Sequence, residues 1–190
     1  MRVLFLDYQG FPIEGNNFII KELAILDFCK SEPEHYLFKP PEDISTLPHS
    51  YQKQVDSETK HCHGISWCAG DVAYEEIRNI LTKLSEIDCC IYVKGLEKKR
   101  LISKLLPKNV VVNIEDELDC TSPMKKFAEY FEPELCDYHR QHCYRCNFTH
   151  FRCAVQNVQT LKKLYDEYRA NRVLSFEDTE IEEVSCSCFC

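Results

Sequence analysis

The sequence predicts an α/β fold, a mixed five-stranded sheet flanked by helices in a single domain. Three observations carry this. Three strand-like runs follow one another across short connections, and the rest of the chain then alternates helix, strand, helix, strand, helix. The helical segments repeat apolar residues every three or four positions, whereas the strands are short β-rich runs. The chain has 190 residues, 44% of them hydrophobic and 28% charged, which suffices for one packed core.

Residues 2–8 read as the first strand. Asp7 interrupts its apolar run, which is too short for a secretion signal. A turn is expected at Gly10-Phe11-Pro12, with Gly15-Asn16-Asn17 behind it. Residues 18–28 and 34–39 read as the second and third strands of an antiparallel meander. Residues 40–60 hold three prolines and are expected to form a loop or short helical turns. Residues 70–85 read as a helix through Val72, Ile77, Ile80, Leu81 and Leu84, and Cys89-Cys90-Ile91-Tyr92-Val93 as a buried strand. Residues 95–106 form the next predicted helix, with Leu96, Leu101, Ile102 and Leu105 on its apolar side and Pro107 ending it. Residues 110–114 read as a strand and 123–131 as a short helix. Residues 154–171 form an amphipathic helix through Val155, Val158, Leu161, Leu164, Tyr165 and Tyr168. The expected domain is 1–172. Residues 173–190, acidic and ending Cys186-Ser187-Cys188-Phe189-Cys190, are expected to be a disordered tail.

The net charge of −8 argues against a chain built wholly for nucleic-acid binding, because phosphate contacts need cations. Such a role would rest on a local patch, and the candidates are Lys94, Lys98, Lys99, Arg100 and Lys104. The same run also reads as a solvated helix face. No 18-residue apolar span occurs, so no membrane span is expected. The Cys188-Phe189-Cys190 end resembles a doubly prenylated terminus. Its acidic neighbours Glu177, Asp178, Glu180, Glu182 and Glu183 oppose anionic lipid, and lipidation stays open. An odd count of 13 cysteines, without an export signal, points to an intracellular protein, cytoplasmic or nuclear, using its thiols for metal.

The densest chemistry is Cys136-x-x-His139, His142-Cys143-x-x-Cys146 and Cys153, six potential ligands within 18 residues. Two-residue spacers between soft ligands suit tetrahedral zinc, and a Cys₂His₂ or Cys₃His set can be drawn from them. Any single cysteine also fits a buried free thiol. A smaller group, His61, Cys62, His63 and Cys68, reads mainly as structural.

The order of motifs resembles the RNase H-like 3′–5′ exonucleases whose site is Asp-x-Glu, Asp and His-x-x-x-x-Asp, the DEDDh superfamily. Over residues 2–170 the matching segments are Phe5-Leu6-Asp7-Tyr8-Gln9-Gly10, Ile20-Lys21-Glu22-Leu23-Ala24-Ile25 and His63-Gly64-Ile65, then Val93-Lys94-Gly95-Leu96-Glu97-Lys98-Lys99-Arg100-Leu101, then Arg152-Cys153-Ala154-Val155-Gln156-Asn157-Val158. The resemblance implies an RNase H-like fold. It also marks a degenerate site: Asp7 is kept and Glu97 stands for the middle Asp, but Gln9, Arg152 and Asn157 replace Glu, His and Asp. Neutral amides cannot offset two divalent ions, and arginine cannot act as a base. No exonuclease activity of the usual kind is expected.

Loss of those residues together with a new Cys/His set is similar to the Maelstrom domain, an RNase H-like relative with a Glu-Cys-His-Cys zinc site. That resemblance assigns the ligands to Glu22, Cys136, His139 and Cys153, with His142, Cys143 and Cys146 as alternates. It implies a closed, structural Zn²⁺ and a context of small-RNA (piRNA) silencing of transposons. The expected function is a non-catalytic module binding RNA, single-stranded, or a protein partner. A divergent metal-dependent RNA nuclease around Asp7, Glu97, Glu115, Asp116 or Asp119 is the second reading. A protein-interaction scaffold without nucleic-acid binding is the third.

Overall fold

The first strand, β1 (Arg2–Ile13), lies at the centre of a five-stranded sheet of order β3-β2-β1-β4-β5. The computed structural model describes residues 1–13, 17–118, 134–142 and 153–184, with the side chains of the last helix described through residue 170. β2 (Asn17–Asp27) pairs antiparallel with β1, and β3 (Glu34–Leu37) pairs antiparallel with β2. On the other side β4 (Cys89–Val93) and β5 (Val110–Asn113) run parallel, β4 against β1 and β5 against β4. Parallel pairing needs a crossover, and α3 (Leu96–Leu105) supplies the one between β4 and β5.

Alternation along β1 divides the interior into two layers. Leu4, Leu6 and Tyr8 face a core shared with Ile91, Val93, Ile102 and Leu84, the last from α2 (Glu76–Ser85). Phe5 faces the opposite core with Ala24, Leu26 and Tyr92, closed by Val158, Leu161 and Leu164 of α6 (Ala154–Val184). Asp7 and Glu22 fall on this second face, and α6 covers them both.

The first strand runs straight through the turn expected at Gly10-Phe11-Pro12. The chain instead makes a bulge: Gln9 pairs with Glu22 and Gly10 with Ile20, leaving Lys21 as the extra residue. A side chain at position 10 would put its Cβ 2.0 Å from the Ile19 carbonyl oxygen, so the bulge requires glycine there. Residues 40–60 are more helical than expected. A short turn at Ile44–Thr46, capped by Asp43, leads through Pro48 into α1 (His49–Glu58), because proline is tolerated where a helix begins. His63-Gly64-Ile65 follows this helix rather than a strand, with Gly64 at φ 74°. The helix expected from 70 starts only at Glu76. Gly70 lies at φ 118°, and Val72 bridges Phe38 beyond the end of β3. Ile114, expected at the end of a strand, opens α4 (Ile114–Leu118). Within the cysteine–histidine region lies α5 (Asp137–His142). The helix expected at 123–131 lies outside the described residues. The last helix runs to Val184, so the expected 172/173 boundary falls inside it; no glycine or proline interrupts residues 154–184. Among the described residues no helix is long and apolar enough to cross a membrane.

Candidate metal centre

Four ligating side chains, all buried, meet where β2, α5 and α6 converge: Glu22, Cys136, His139 and Cys153. One ligand atom from each lies within 4.8 Å of every other. The period of β2 puts Glu22 on the same face as Ala24 and Leu26. Cys136 immediately precedes α5, and its carbonyl accepts from Arg140 N–H in the first turn. His139 follows three residues later, which on a helix is the same side. Cys153 immediately precedes α6, and its carbonyl accepts from Asn157 N–H.

Cys136 Sγ lies 3.0 Å from His139 Nδ1 and 3.3 Å from Glu22 Oε1. Glu22 Oε1 is 3.5 Å from His139 Nδ1 and 3.6 Å from Cys153 Sγ. Surrounding groups fix the orientation of each ligand. His139 Nε2 donates to the His63 carbonyl at 2.8 Å, which puts the proton on Nε2 and leaves Nδ1 as the ligating atom. Glu22 Oε2 accepts from Ala154 N–H at 2.9 Å, at the start of α6 where the helix dipole favours an anion. His35 Nε2 lies 3.0 Å from Glu22 Oε1, and Cys136 N–H donates to Cys153 Sγ at 3.3 Å. Burial pushes the Glu22 carboxyl up, but hydrogen bonds from His139 and His35, the His139 charge and the Ala154 N–H outweigh it and hold it at about 2. The Cys153 thiol is pushed well up by its hydrogen bond with Cys136 and by burial. Burial would lower His139, and the Cys153 thiol and Glu22 reverse it, so the imidazole stays basic.

The exonuclease-type positions lie beside this cluster but are arranged otherwise. Asp7 Oδ2 accepts from Asn157 Nδ2 at 2.7 Å and from Gln9 Nε2 at 3.3 Å. Asp7 Oδ1 accepts from Lys98 Nζ, which also donates to the Tyr8 carbonyl at 3.0 Å. Burial raises Asp7 above the usual carboxylate range, and the Lys98 charge and the Asn157 and Lys98 hydrogen bonds oppose that rise. Glu97 is exposed on the first turn of α3. Arg152 lies outside the described residues, as do the alternates Cys143 and Cys146. The third alternate, His142, is exposed, its Nδ1–H donates to the Tyr138 carbonyl at 2.9 Å, and it is not among the four clustered ligands.

The basic run does not form one open patch. Lys94 pairs with Glu115 at 2.9 Å, Lys99 with Asp116 at 3.0 Å, and Lys98 is committed to Asp7. Arg100 and Lys104 instead line a groove of about 810 Å³ beside β1, with Tyr8, Phe18, Glu58 and His63. Charge counting found Lys98 but not its role, since its partner lies 91 positions earlier. Nothing in the local sequence marks the supporting contacts of His35 or the His63 carbonyl.

The sheet order and its flanking helices match the RNase H-like 3′–5′ exonuclease fold. Similar solved structures are those of E. coli Exonuclease I. Its complex with a dT13 oligonucleotide gives a TM-score of 0.56 at 15% identity, over 93% of this chain and 42% of that one. The zinc-ion-bound form of its single-stranded DNA complex gives 0.53 at 15%, over 94% and 43%. The complex with a 5cy-dT13 oligonucleotide gives 0.53 at 16%, over 94% and 42%. The chain thus spans less than half the length of these structures, and at this identity the likeness is one of fold. No family model matches the chain, and no curated protein matches it.

Proposed function

We propose that this chain is a non-catalytic RNase H-like module, stabilised by a structural zinc ion and working by binding single-stranded RNA. The observation that carries this reading is the convergence of Glu22, Cys136, His139 and Cys153 in one buried cluster, next to an Asp7 committed to Lys98 and Asn157. Two thiols, an imidazole and a carboxylate form a donor set that zinc prefers. Bond lengths of about 2.0–2.3 Å give tetrahedral ligand separations of about 3.3–3.8 Å. Four of the six separations, 3.0 to 3.6 Å, are close to these, and all six lie within 4.8 Å. Four protein ligands leave no open position, so the ion ties β2 to α5 and α6 and performs no chemistry.

The groove lined by Tyr8, Phe18, Arg100 and Lys104 offers aromatic faces and cations together, the combination that holds unpaired bases and their phosphates. The oligonucleotides in the Exonuclease I complexes are consistent with a strand-binding role for this fold. The likeness to the Maelstrom domain extends the reading to small-RNA silencing of transposons.

Elemental analysis of the purified protein tests the centre. One zinc per chain is expected, and it is lost in Cys136→Ser and in His139→Ala. No zinc, or manganese insensitive to both changes, overturns it. Fluorescence anisotropy with labelled single-stranded RNA at low salt then tests the binding role on zinc-loaded protein. Absence of binding moves a protein partner to first place. Manganese-dependent RNA degradation abolished by Asp7→Ala would make the chain a nuclease.

A further inference from the structure

Two buried carboxylates share the sheet face beneath α6. Glu22 stands opposite Gln9 on the neighbouring strand, and Asp7 lies two residues before Gln9. Each has its own partners: the imidazoles of His139 and His35 serve Glu22, and a lysine serves Asp7. The Asp7 side chain is 2% exposed, and a carboxylate so deep needs a counter-charge. Lys98 reaches it from the first turn of α3, which Gly95 N–H anchors to Asn113 Oδ1 at 2.7 Å. The ammonium is held on three sides: by Asp7 Oδ1, by the Tyr8 carbonyl at 3.0 Å, and by the Tyr8 ring at 5.1 Å from its centre. On the other oxygen, Asn157 and Gln9 both point N–H groups at Asp7. These are hydrogen-bond donors where a hard divalent ion would need anionic oxygens.

The geometry points to Lys98 as a built-in cation that replaces the catalytic divalent ion at Asp7. The ammonium neutralises the buried carboxylate, occupies its open side and repels a divalent ion from the end of the groove. Lost carboxylates alone would leave Asp7 an exposed weak metal site; Lys98 closes it. This claim is independent of the zinc reading, which Cys136→Ser tests without touching Asp7 or Lys98.

The test uses the protein as purified, whatever its cysteine cluster holds, with Mn²⁺ as probe, read by electron paramagnetic resonance of free Mn²⁺ and by thermal melting. Wild type and Gln9→Glu/Asn157→Asp are expected to bind no stoichiometric Mn²⁺. Adding Lys98→Ala to that double variant is expected to create one site, tighter by roughly tenfold or more, because the ammonium no longer repels the ion at low effective dielectric. Asp7→Asn in the same background abolishes it. Should the added carboxylates unfold the chain, single variants suffice. Lys98→Ala melts lower than wild type, and Mn²⁺ restores part of the loss while leaving wild type unchanged. Lys98→Met combined with Asp7→Asn melts higher than Lys98→Met alone, since both halves of the pair are gone. Three results overturn the proposal: wild-type Mn²⁺ binding that Asp7→Asn removes, Mn²⁺ binding equal with and without Lys98, or Lys98→Ala variants that gain neither binding nor stability from Mn²⁺.

Discussion

Lys21 carries a charge into the interior and finds three carbonyls there. Its Nζ donates to Phe38 O at 2.6 Å, Trp67 O at 2.8 Å and Ala69 O at 2.7 Å, tying the bulge in β2 to two separate loops. Lys21→Met would keep the apolar stem and leave three acceptors unpaired, and a loss of about 2–4 kcal/mol in urea denaturation is expected. Burial lowers this amine from 10.5 to about 8. The unfolded chain therefore binds more protons than the folded one between those values, and the wild type should gain stability as pH rises through that window, with no such gain in Lys21→Met. Glu22 has the opposite sign. Its carboxyl falls from 4.5 to about 2, so its contribution is complete above 4.5 and is lost as the pH falls toward 2. Metal-free protein should show this loss in acid melts, and Glu22→Gln should flatten it. Neither group could be read from sequence as a buried charge. Lys21 occupies a strand position that alternation gives no reason to bury a charge at, and only the bulge turns it inward. Glu22 came from a motif resemblance, because a strand glutamate has no local signature as a ligand.

The Glu22, Cys136, His139 and Cys153 cluster also connects elements beyond its own residues. Two bonds join α5 to the chain segment after α1: His139 Nε2 to the His63 carbonyl at 2.8 Å, and Ser66 N–H to the Tyr138 hydroxyl at 3.0 Å. His63 in turn packs edge-on against Phe11, and it lines the groove. If the cluster holds the proposed zinc, removing it should therefore loosen residues 63–67 and Asp137–His142 together. Hydrogen exchange with and without a chelator should show faster exchange in both segments, and in the start of α6. β1 and β4 should lose less protection, because their other layer, with Leu4, Leu6, Ile91 and Val93, contains none of the four ligands. Unchanged exchange at 63–67 would mean that the groove wall is independent of the centre. The elements themselves were legible where their period was strong: β2, β4 and α3 fall within about two residues of expectation. The misplacements have physical causes. A bulge removed the expected turn in β1, three prolines disguised the start of α1, and the left-handed Gly70 delayed α2. Cys136 and His139 were legible from their two-residue spacer, whereas the choice of Cys153 over His142 rested on the motif resemblance, because it depends on which of them packs beside Glu22 on β2, more than 100 positions earlier.

At the scale of the whole molecule, a net charge of −8 must be reconciled with the proposed binding of a polyanion. Three lysines of the basic run are already neutralised by Glu115, Asp7 and Asp116, so little of it is available to phosphate. Arg100 and Lys104 are the exposed cations that line the groove, and Glu58 and Glu97 line it with them. Binding carried by two cations should be weak and only mildly salt-dependent. Each neutralised phosphate of a single strand contributes about −0.7 to the slope of log K against log salt, so a slope of about −1.4 is expected. Arg100→Ala with Lys104→Ala should bring it close to zero. Lys94→Ala with Lys99→Ala should leave it nearly unchanged, because those charges are spent on carboxylates. Anisotropy titrations across a salt series check both. A slope far steeper than −1.4 would mean that strand contacts extend beyond the groove onto surface outside the described residues. A slope unmoved by Arg100→Ala with Lys104→Ala would remove the groove as the binding site. An acidic chain can hold RNA only where cations are kept from its own carboxylates, and within the basic run Arg100 and Lys104 meet that condition at the groove.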